Sequence, residues 1–452
     1  MDLRSKLRAI VRPDHKPTRE LTYEPDTGGY EAGTTPARVG EILGGRPVDT
    51  RFGECLIIDR RYESNRRHGD VLIEDCQVST ADSLKVLDPS LLVVERDSRL
   101  RRTVFIDLET TGLSGGAGTV AFLVGCGYFD IGAFQVRQFL LTSFTAERAL
   151  LEAVSQFVED ADLIVTYNGK TFDVPVMETR WLFHRMEMPL EGVPHFDALP
   201  TARRLWKGRT EAPSTSLRAG PSTSLRAGGA GDGCRLTTLE RALFDVRRIG
   251  DVPGFEIPSR FFRFLRSGDP RPLEPVLEHN RLDLVSLAAV TARAARLVDD
   301  GADGCPDSSQ ALALGRIYER AGSRDRAEAC YRRSASSGDV AIRSEALYRL
   351  GLLLRRERRF GEAADLWRAL LAVTEDRALN RTPAGLALRQ FATEALAIHA
   401  EHRDRDLCAA RELAIFALED SPDGRRADSY RHRLARVERK IAEKQNAQLF
   451  WS

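Results

Sequence analysis

The sequence predicts an α/β fold, a mixed sheet flanked by helices, followed by an all-α region built from helical repeats. Two observations predict this. From Val104 onward, three apolar β segments are followed by helix, strand and helix, an order that suits a mixed sheet. From about Ser308 to the C-terminus nearly every segment has helical periodicity and part of it repeats internally. A length of 452 residues calls for two or three domains.

Val104–Leu108, Val120–Phe129 and Phe134–Leu141 are the three opening β segments. A helix is expected over Ala146–Val158 with Thr145 as its N-cap, then a buried strand at Leu163–Thr166 and a helix over Val174–Met186. The segment 101–300 is read as one α/β domain. Ahead of it, 37–100 is β-rich, with strands at Glu54–Ile58, Val71–Ile73 and Leu91–Val94, and reads as a small lead-in module. Residues 1–36 mix Pro, Gly, Thr and charge and read as a disordered segment, apart from a short helical stripe at Leu3, Leu7 and Ile10. Within 208–233 the octapeptide Pro213–Gly220 recurs as Pro221–Gly228, which reads as a flexible surface insertion; the alternative is a basic loop over a substrate groove. Helical character resumes at Leu236 and runs with breaks to Val298.

Composition narrows the function. The chain is 42% hydrophobic and 29% charged, with a net charge of +1. It has no strong basic field, so polyanion binding must come from local patches. No apolar run is long enough to cross a bilayer. Met1–Lys6 lacks the apolar core of a secretory signal. The seven cysteines form no C-x-x-C pair and read as reduced thiols of a cytoplasmic protein.

The chemistry concentrates in carboxylates. Asp107 and Glu109 end an apolar strand and, being i and i+2, point to one face. Two such acids repel each other unless a cation lies between them, and hard oxygen ligands suit Mg²⁺ or Mn²⁺. Asp173, after the turn Tyr167-Asn168-Gly169-Lys170-Thr171-Phe172, lies at a strand-to-helix junction. His279 and Asp283 are i and i+4 on one helix face. Asp107, Glu109, Asp173 and Asp283 together would hold two divalent ions about 4 Å apart, a set that serves phosphodiester hydrolysis. Tyr167, Phe172 and Trp181 are either core or stacking surfaces for bases. His195 and Asp197, flanking Phe196, are either a polar strand end or support for the site.

These motifs resemble those of the DEDD 3′–5′ exonucleases, which have a ribonuclease H-like fold. Asp107-Leu108-Glu109-Thr110-Thr111-Gly112 is similar to the first motif, Asn168 to Asp173 to the second, and His279…Asp283 to the third. A closer resemblance, over roughly Phe52 to Leu297, is to the YprB-like ribonuclease H-like proteins. It rests on the same segments together with His195-Phe196-Asp197-Ala198-Leu199 and Leu239-Glu240-Arg241. The resemblance implies two divalent ions, Mg²⁺ or Mn²⁺, held by the four acids, with His279 as catalytic base. It also implies substrate contacts from Thr110, Thr111, Gly112, Asn168, Lys170 and Asn280. Three residues separate His279 from Asp283. That is the spacing of exonucleases with Tyr at this position, and it turns the side chain about 100° from the usual His.

In 305–450, Leu314-Gly315…Tyr318…Ala327…Tyr331 matches Leu350-Gly351…Leu354…Ala363…Trp367. The period is close to that of tetratricopeptide repeats, roughly 34 residues. Ala395–Leu418 is a third, degraded pair, and Arg425–Lys444 reads as a solvated basic helix face. The main expectation is therefore a metal-dependent 3′–5′ exonuclease acting on single-stranded DNA or RNA ends, with a protein partner on the repeats. The alternatives are a non-catalytic nucleic-acid and protein interaction scaffold, and a metal-dependent phosphatase or nucleotidase.

Overall fold

The computed structural model describes residues 35–91, 99–112, 118–210, 234–420 and 425–449. The expected N-terminal disorder up to residue 34, most of the strand at Leu91–Val94 and the tandem octapeptide lie outside the described residues.

Seven strands make the main sheet: Arg46–Thr50 (β1), Gly53–Tyr62 (β2), Thr103–Thr110 (β5), Ala121–Asp130 (β6), Ala133–Leu140 (β7), Leu163–Thr166 (β8) and His195–Asp197 (β9). A small hairpin, Arg67–His68 (β3) with Val71–Leu72 (β4), stands apart. The sheet order is β1-β2-β7-β6-β5-β8-β9. The β1-to-β5 half is antiparallel, whereas β8 and β9 run parallel to β5. This corrects the lead-in module. β1 and β2 are not a separate unit but the edge of the same sheet, with β2 paired to β7 from Leu56↔Leu140 to Tyr62↔Phe134.

The helices follow in chain order: Pro36–Leu43 (α1), Asp82–Leu87 (α2), Glu147–Val158 (α3), Asp173–Phe183 (α4), Ala198–Thr210 (α5), Leu236–Phe244 (α6), Ile257–Ser267 (α7) and Glu274–Asp300 (α8). The expected Thr145 cap is absent. Thr145 lies in a 3₁₀ turn, and α3 begins two residues later without a side-chain cap.

β5 is the centre of the sheet, and its alternation sorts the core. Val104, Ile106 and Leu108 pack with α3, α4 and α7 through Leu150, Val154, Trp181 and Phe261. Phe105 points the other way, into a core with Leu284, Leu287 and Ala288 of α8. Asp107 and Glu109 share the parity of Phe105, so they project toward α8.

Beyond α8 every regular element among the described residues is helical: Ser308–Arg320 (α9), Arg324–Ala335 (α10), Val340–Arg356 (α11), Phe360–Val373 (α12), Arg377–Asn380 (α13), Pro383–His399 (α14), Leu407–Asp420 (α15) and Arg425–Leu449 (α16). None is long and apolar enough to cross a membrane. The sequence repeat has a packing cause. Gly315 of α9 lies against Tyr331 of α10, and Gly351 of α11 lies against Trp367 of α12. In each pair a glycine lets a helix approach a buried ring so closely that a methyl group would overlap it. The apolar core under β5 runs on through Leu314, Tyr318, Leu350 and Leu354. Tyr318 Oη and Arg326 donate to Val298 O near the C-terminus of α8, at 2.5 and 2.8 Å.

The basic stretch Arg425–Lys444 is more than a solvated face. Arg433, Arg436 and Lys440 of α16 converge on Glu401, whose side chain is fully buried in the π-turn Ala400–Asp404 after α14. Burial opposes ionisation, but hydrogen bonds from Arg436 and Lys440 outweigh it and hold Glu401 at about 2, below its usual 4.5. Because the folded value is lowered, this stabilisation is complete above about 4.5 and is lost as pH falls toward 2. Glu401→Gln should cost about 1–3 kcal/mol at neutral pH. In urea melts of both proteins, the gap should narrow as pH drops from about 5 to about 2.

Candidate functional site

The central strand delivers two acids to one place. Asp107 pairs across the ladder with Gly125 of β6. A Cβ at Gly125 would overlap the Asn280 amide of α8. The missing side chain is thus the space into which Asn280 inserts. Asn280 Nδ2 donates to Asp107 Oδ2 (2.8 Å) and to Asp107 O (3.1 Å). Its Oδ1 accepts from Gln138 Nε2 at 2.8 Å, and the same Gln138 nitrogen donates to Leu277 O. Asn280 and Gln138 are both fully buried. The Asn280 amide is therefore fixed with its donor aimed at Asp107.

Glu109 lies two residues on, just before a register shift against β6. Asp173 opens α4 and is buried. The turn before it is shaped by Asp197 at the end of β9. Asp197 Oδ1 accepts from Asn168 N (2.8 Å) and Leu199 N (3.1 Å), and Oδ2 accepts from Lys170 N (3.2 Å). His195 is hydrogen-bonded to Thr166 Oγ1 at 2.8 Å. This pair, open in the sequence between a strand end and site support, holds the strand-to-helix junction that carries Asp173.

The four acids lie within electrostatic reach of one another. Asp107 is pushed well above the usual carboxylate range by burial, then by Asp283, Glu109 and Asp173, against the Asn280 hydrogen bond. Glu109 is raised in the same way by burial, Asp283, Asp173 and Asp251, against Arg248. Asp173 is raised to about 7, by burial and then by Asp197. Burial and mutual repulsion therefore make these acids hold their protons more tightly than free carboxylates do.

α8 brings His279 and Asp283 to this cluster. His279 Nε2 is 3.5 Å from Asp283 Oδ2 and 4.0 Å from Glu109 Oε1. Its Nδ1 is 2.6 Å from Asp251 Oδ1. Arg248, with a side chain only 6% exposed, bonds to Asp283 and to both oxygens of Glu240, and reaches Asp251 Oδ2 at 3.3 Å. Glu240 itself is buried on α6. The coil between α6 and α7 thus ties the acidic face of α8 to the rest of the domain.

Several expected substrate contacts are differently occupied. Asn280 is buried and holds Asp107, so it has no surface for a substrate. Thr110 Oγ1 donates to Gly112 O, and Thr111 Oγ1 accepts from Val120 N, so both hydroxyls close their own loop. Gly112 ends the described part of that loop. Asn168 adopts left-handed backbone at φ +69°, and its amide oxygen accepts from Thr171. Lys170 Nζ pairs with Asp88 at 3.1 Å. Trp181 is core, 1% exposed and bonded to Ser155; Tyr167 donates to Cys234 O.

Four oxygen-donor carboxylates, three of them with no Arg or Lys partner among the described residues, fit a hard divalent cation in kind and number. The four acids form a charge cluster rather than a closed coordination sphere. Among the described residues no three acidic, His or Cys side chains surround one point as ready ligands. Asp283 is engaged by Arg248 and Asp107 by Asn280. Arg248, Asp251, Gln138 and Gly125 were not singled out from the sequence. Gln138 is the polar interruption of the apolar run Phe134–Leu141, a signal that was available. Arg248 and Asp251 lie in a coil, where no periodicity marks them.

The span from 104 to 295, which holds the whole carboxylate cluster, matches the family model of the RNase_H superfamily. It is an RNase H-like domain. The chain is also 28% identical over 412 residues, 89% of its length and 90% of the relative's, to a Bacillus subtilis (strain 168) protein described as "Uncharacterized protein YprB". Much of the helical region beyond residue 305 is included in that similarity, because a match over 89% of the chain cannot be reached without it.

The cluster stores electrostatic strain that a neutral isostere would relieve. Asp107→Asn keeps an acceptor for Asn280 and removes a carboxyl whose ionisation the site disfavours. In thermal melts with a chelator present, it should be more stable than the wild type by about 1–3 kcal/mol. A lower midpoint would show that the acids do not repel one another as described.

Proposed function

We propose that the RNase H-like domain hydrolyses phosphodiester bonds at single-stranded nucleic-acid ends as a DEDD-type 3′–5′ exonuclease. One observation carries this reading: four carboxylates from β5, α4 and α8 lie within electrostatic reach of one another beside a histidine, and among the described residues only Asp283 has an Arg or Lys partner, Arg248. Asp107, Glu109, Asp173 and Asp283 would hold two Mg²⁺ or Mn²⁺ ions. When bound, such ions supply Lewis-acid stabilisation of a phosphodiester and lower the pKa of an attacking water.

The protein's own groups do the rest. Asn280 fixes the Asp107 carboxylate, and Asp197 fixes the turn that presents Asp173. His279 stands at the rim of the acids, where its Nε2 accepts a proton from the attacking water. The 3′–5′ polarity rests on the resemblance of the three motifs. The paired helices α9–α10 and α11–α12 are tetratricopeptide-like in spacing and supply a surface for a protein partner.

One observation favours a second reading, a scaffold without catalysis. Arg248 already compensates Asp283, as a structural cation would. Incubation of 5′-labelled single strands with Mn²⁺ separates the two readings. The exonuclease shortens the strand from its 3′ end in single-nucleotide steps, and Asp107→Asn slows this by about 10³-fold or more. Equal rates for wild type and variant, or cutting of a circular single strand, would overturn the exonuclease reading. Release of phosphate from mononucleotides with no action on oligomers would select a phosphatase.

A further inference from the structure

The three-residue spacing between His279 and Asp283 leaves open how the imidazole can face the acids at all. The coil Asp245–Pro253 contains the answer. Asp251 Oδ1 lies 2.6 Å from His279 Nδ1. Asp251 is itself held. Val252 N donates to its Oδ1 at 2.9 Å, and Arg248 lies 3.3 Å from its Oδ2. Burial opposes ionisation of Asp251, but the His279 contact and Arg248 hold it below its usual carboxylate range. A carboxylate only accepts hydrogen bonds, so a contact this short places the proton on Nδ1. The Arg248 nitrogen 3.5 Å from the same Nδ1 is a longer and weaker competitor for that position. With Nδ1 protonated in a neutral ring, Nε2 carries the free lone pair. That atom is the one turned toward Asp283 and Glu109.

We propose that Asp251 is a positioning residue that sets the tautomer and ring orientation of His279, offsetting the helical rotation its spacing imposes. Arg248 fixes Asp251 and Asp283 together. The two ends of the unit, the orienting carboxylate and the acid cluster, therefore keep a constant relation to the ring. An orienting carboxylate behind a histidine is a recurrent means of fixing its tautomer and direction. Here it comes from a coil some thirty residues upstream rather than from the helix that bears the histidine.

The kinetic consequence rests on the nuclease reading, whereas the geometry does not. The full-length chain, labelled with ¹⁵N-histidine and free of metal, contains eight histidines, and His279→Gln assigns the relevant resonances. Long-range ¹H–¹⁵N spectra recorded at mildly alkaline pH should show His279 as the Nδ1–H tautomer. Asp251→Ala should move it toward Nε2–H, and Asp251→Asn, whose amide oxygen still accepts, should keep Nδ1–H. A wild-type His279 in the Nε2–H form, or a tautomer indifferent to Asp251→Ala, would overturn the proposal whatever the activity. In the Mn²⁺ assay, Asp251→Ala should lower kcat about 10–100-fold with KM within about twofold. Asp251→Asn should recover part of that loss, and Asp251→Ala should cost little more once His279→Gln is present. If the wild type releases no nucleotides, the nuclease reading fails and the spectra alone decide the dyad. If the wild type is active and Asp251→Ala equals it in kcat, the positioning role fails while the nuclease reading stands.

Discussion

The contact of α8 with the end of β5 organises the molecule, because one helix meets three demands there. Through Leu284, Leu287 and Ala288 it covers one face of the sheet. Through Asn280 it reaches the gap left by Gly125 and holds Asp107. Through Val298 O near its C-terminus it accepts hydrogen bonds from Tyr318 and Arg326 of the following helices. A shift of α8 along its axis would unseat the acid cluster and the junction to the helical region together. The precision of the site therefore depends on ordinary close packing, which leaves little room for such a shift.

The same contact explains why buried charge is tolerated. Asp107, Glu109, Asp173 and Asp283 lie on three chain segments driven together by apolar burial, and the repulsion among them is a cost against that gain. The fold limits the cost with specific polar partners: Asn280 for Asp107, Arg248 for Asp283 and Asp251 for His279. A region arranged against its own stability and supported by ordered neighbours is where proteins place chemistry. The C-terminal helices show the opposite arrangement. There Glu401 is surrounded by three cations that offset its charge.

Much of the fold was legible because its signals are local. Short apolar runs marked β5, β6, β7 and β8, and the repeat of Leu314-Gly315 as Leu350-Gly351 marked two helix pairs. The mistaken lead-in module has a physical reason. The strand signal at Glu54–Ile58 says that a strand forms but not which edge it joins, and its partner β7 lies some eighty residues away. The basic stretch Arg425–Lys444 looked solvated because its acidic partner, Glu401, lies on a different element.

By itself the sequence determined the identities and parities of the site: which acids exist, that Asp107 and Glu109 share a face, and that His279 and Asp283 lie one turn apart on a helix. These follow from backbone periodicity, which acts within a few residues. Only the tertiary structure decided what each of them touches. It buried Asn280, committed Lys170 to Asp88, and brought Arg248 and Asp251 from a coil without pattern to the two ends of the His279–Asp283 face. Such contacts join positions far apart in the chain, and they exist because the apolar core closes in one way. A reading limited to neighbours in sequence sees the acids at the end of β5 but not the groups that orient them.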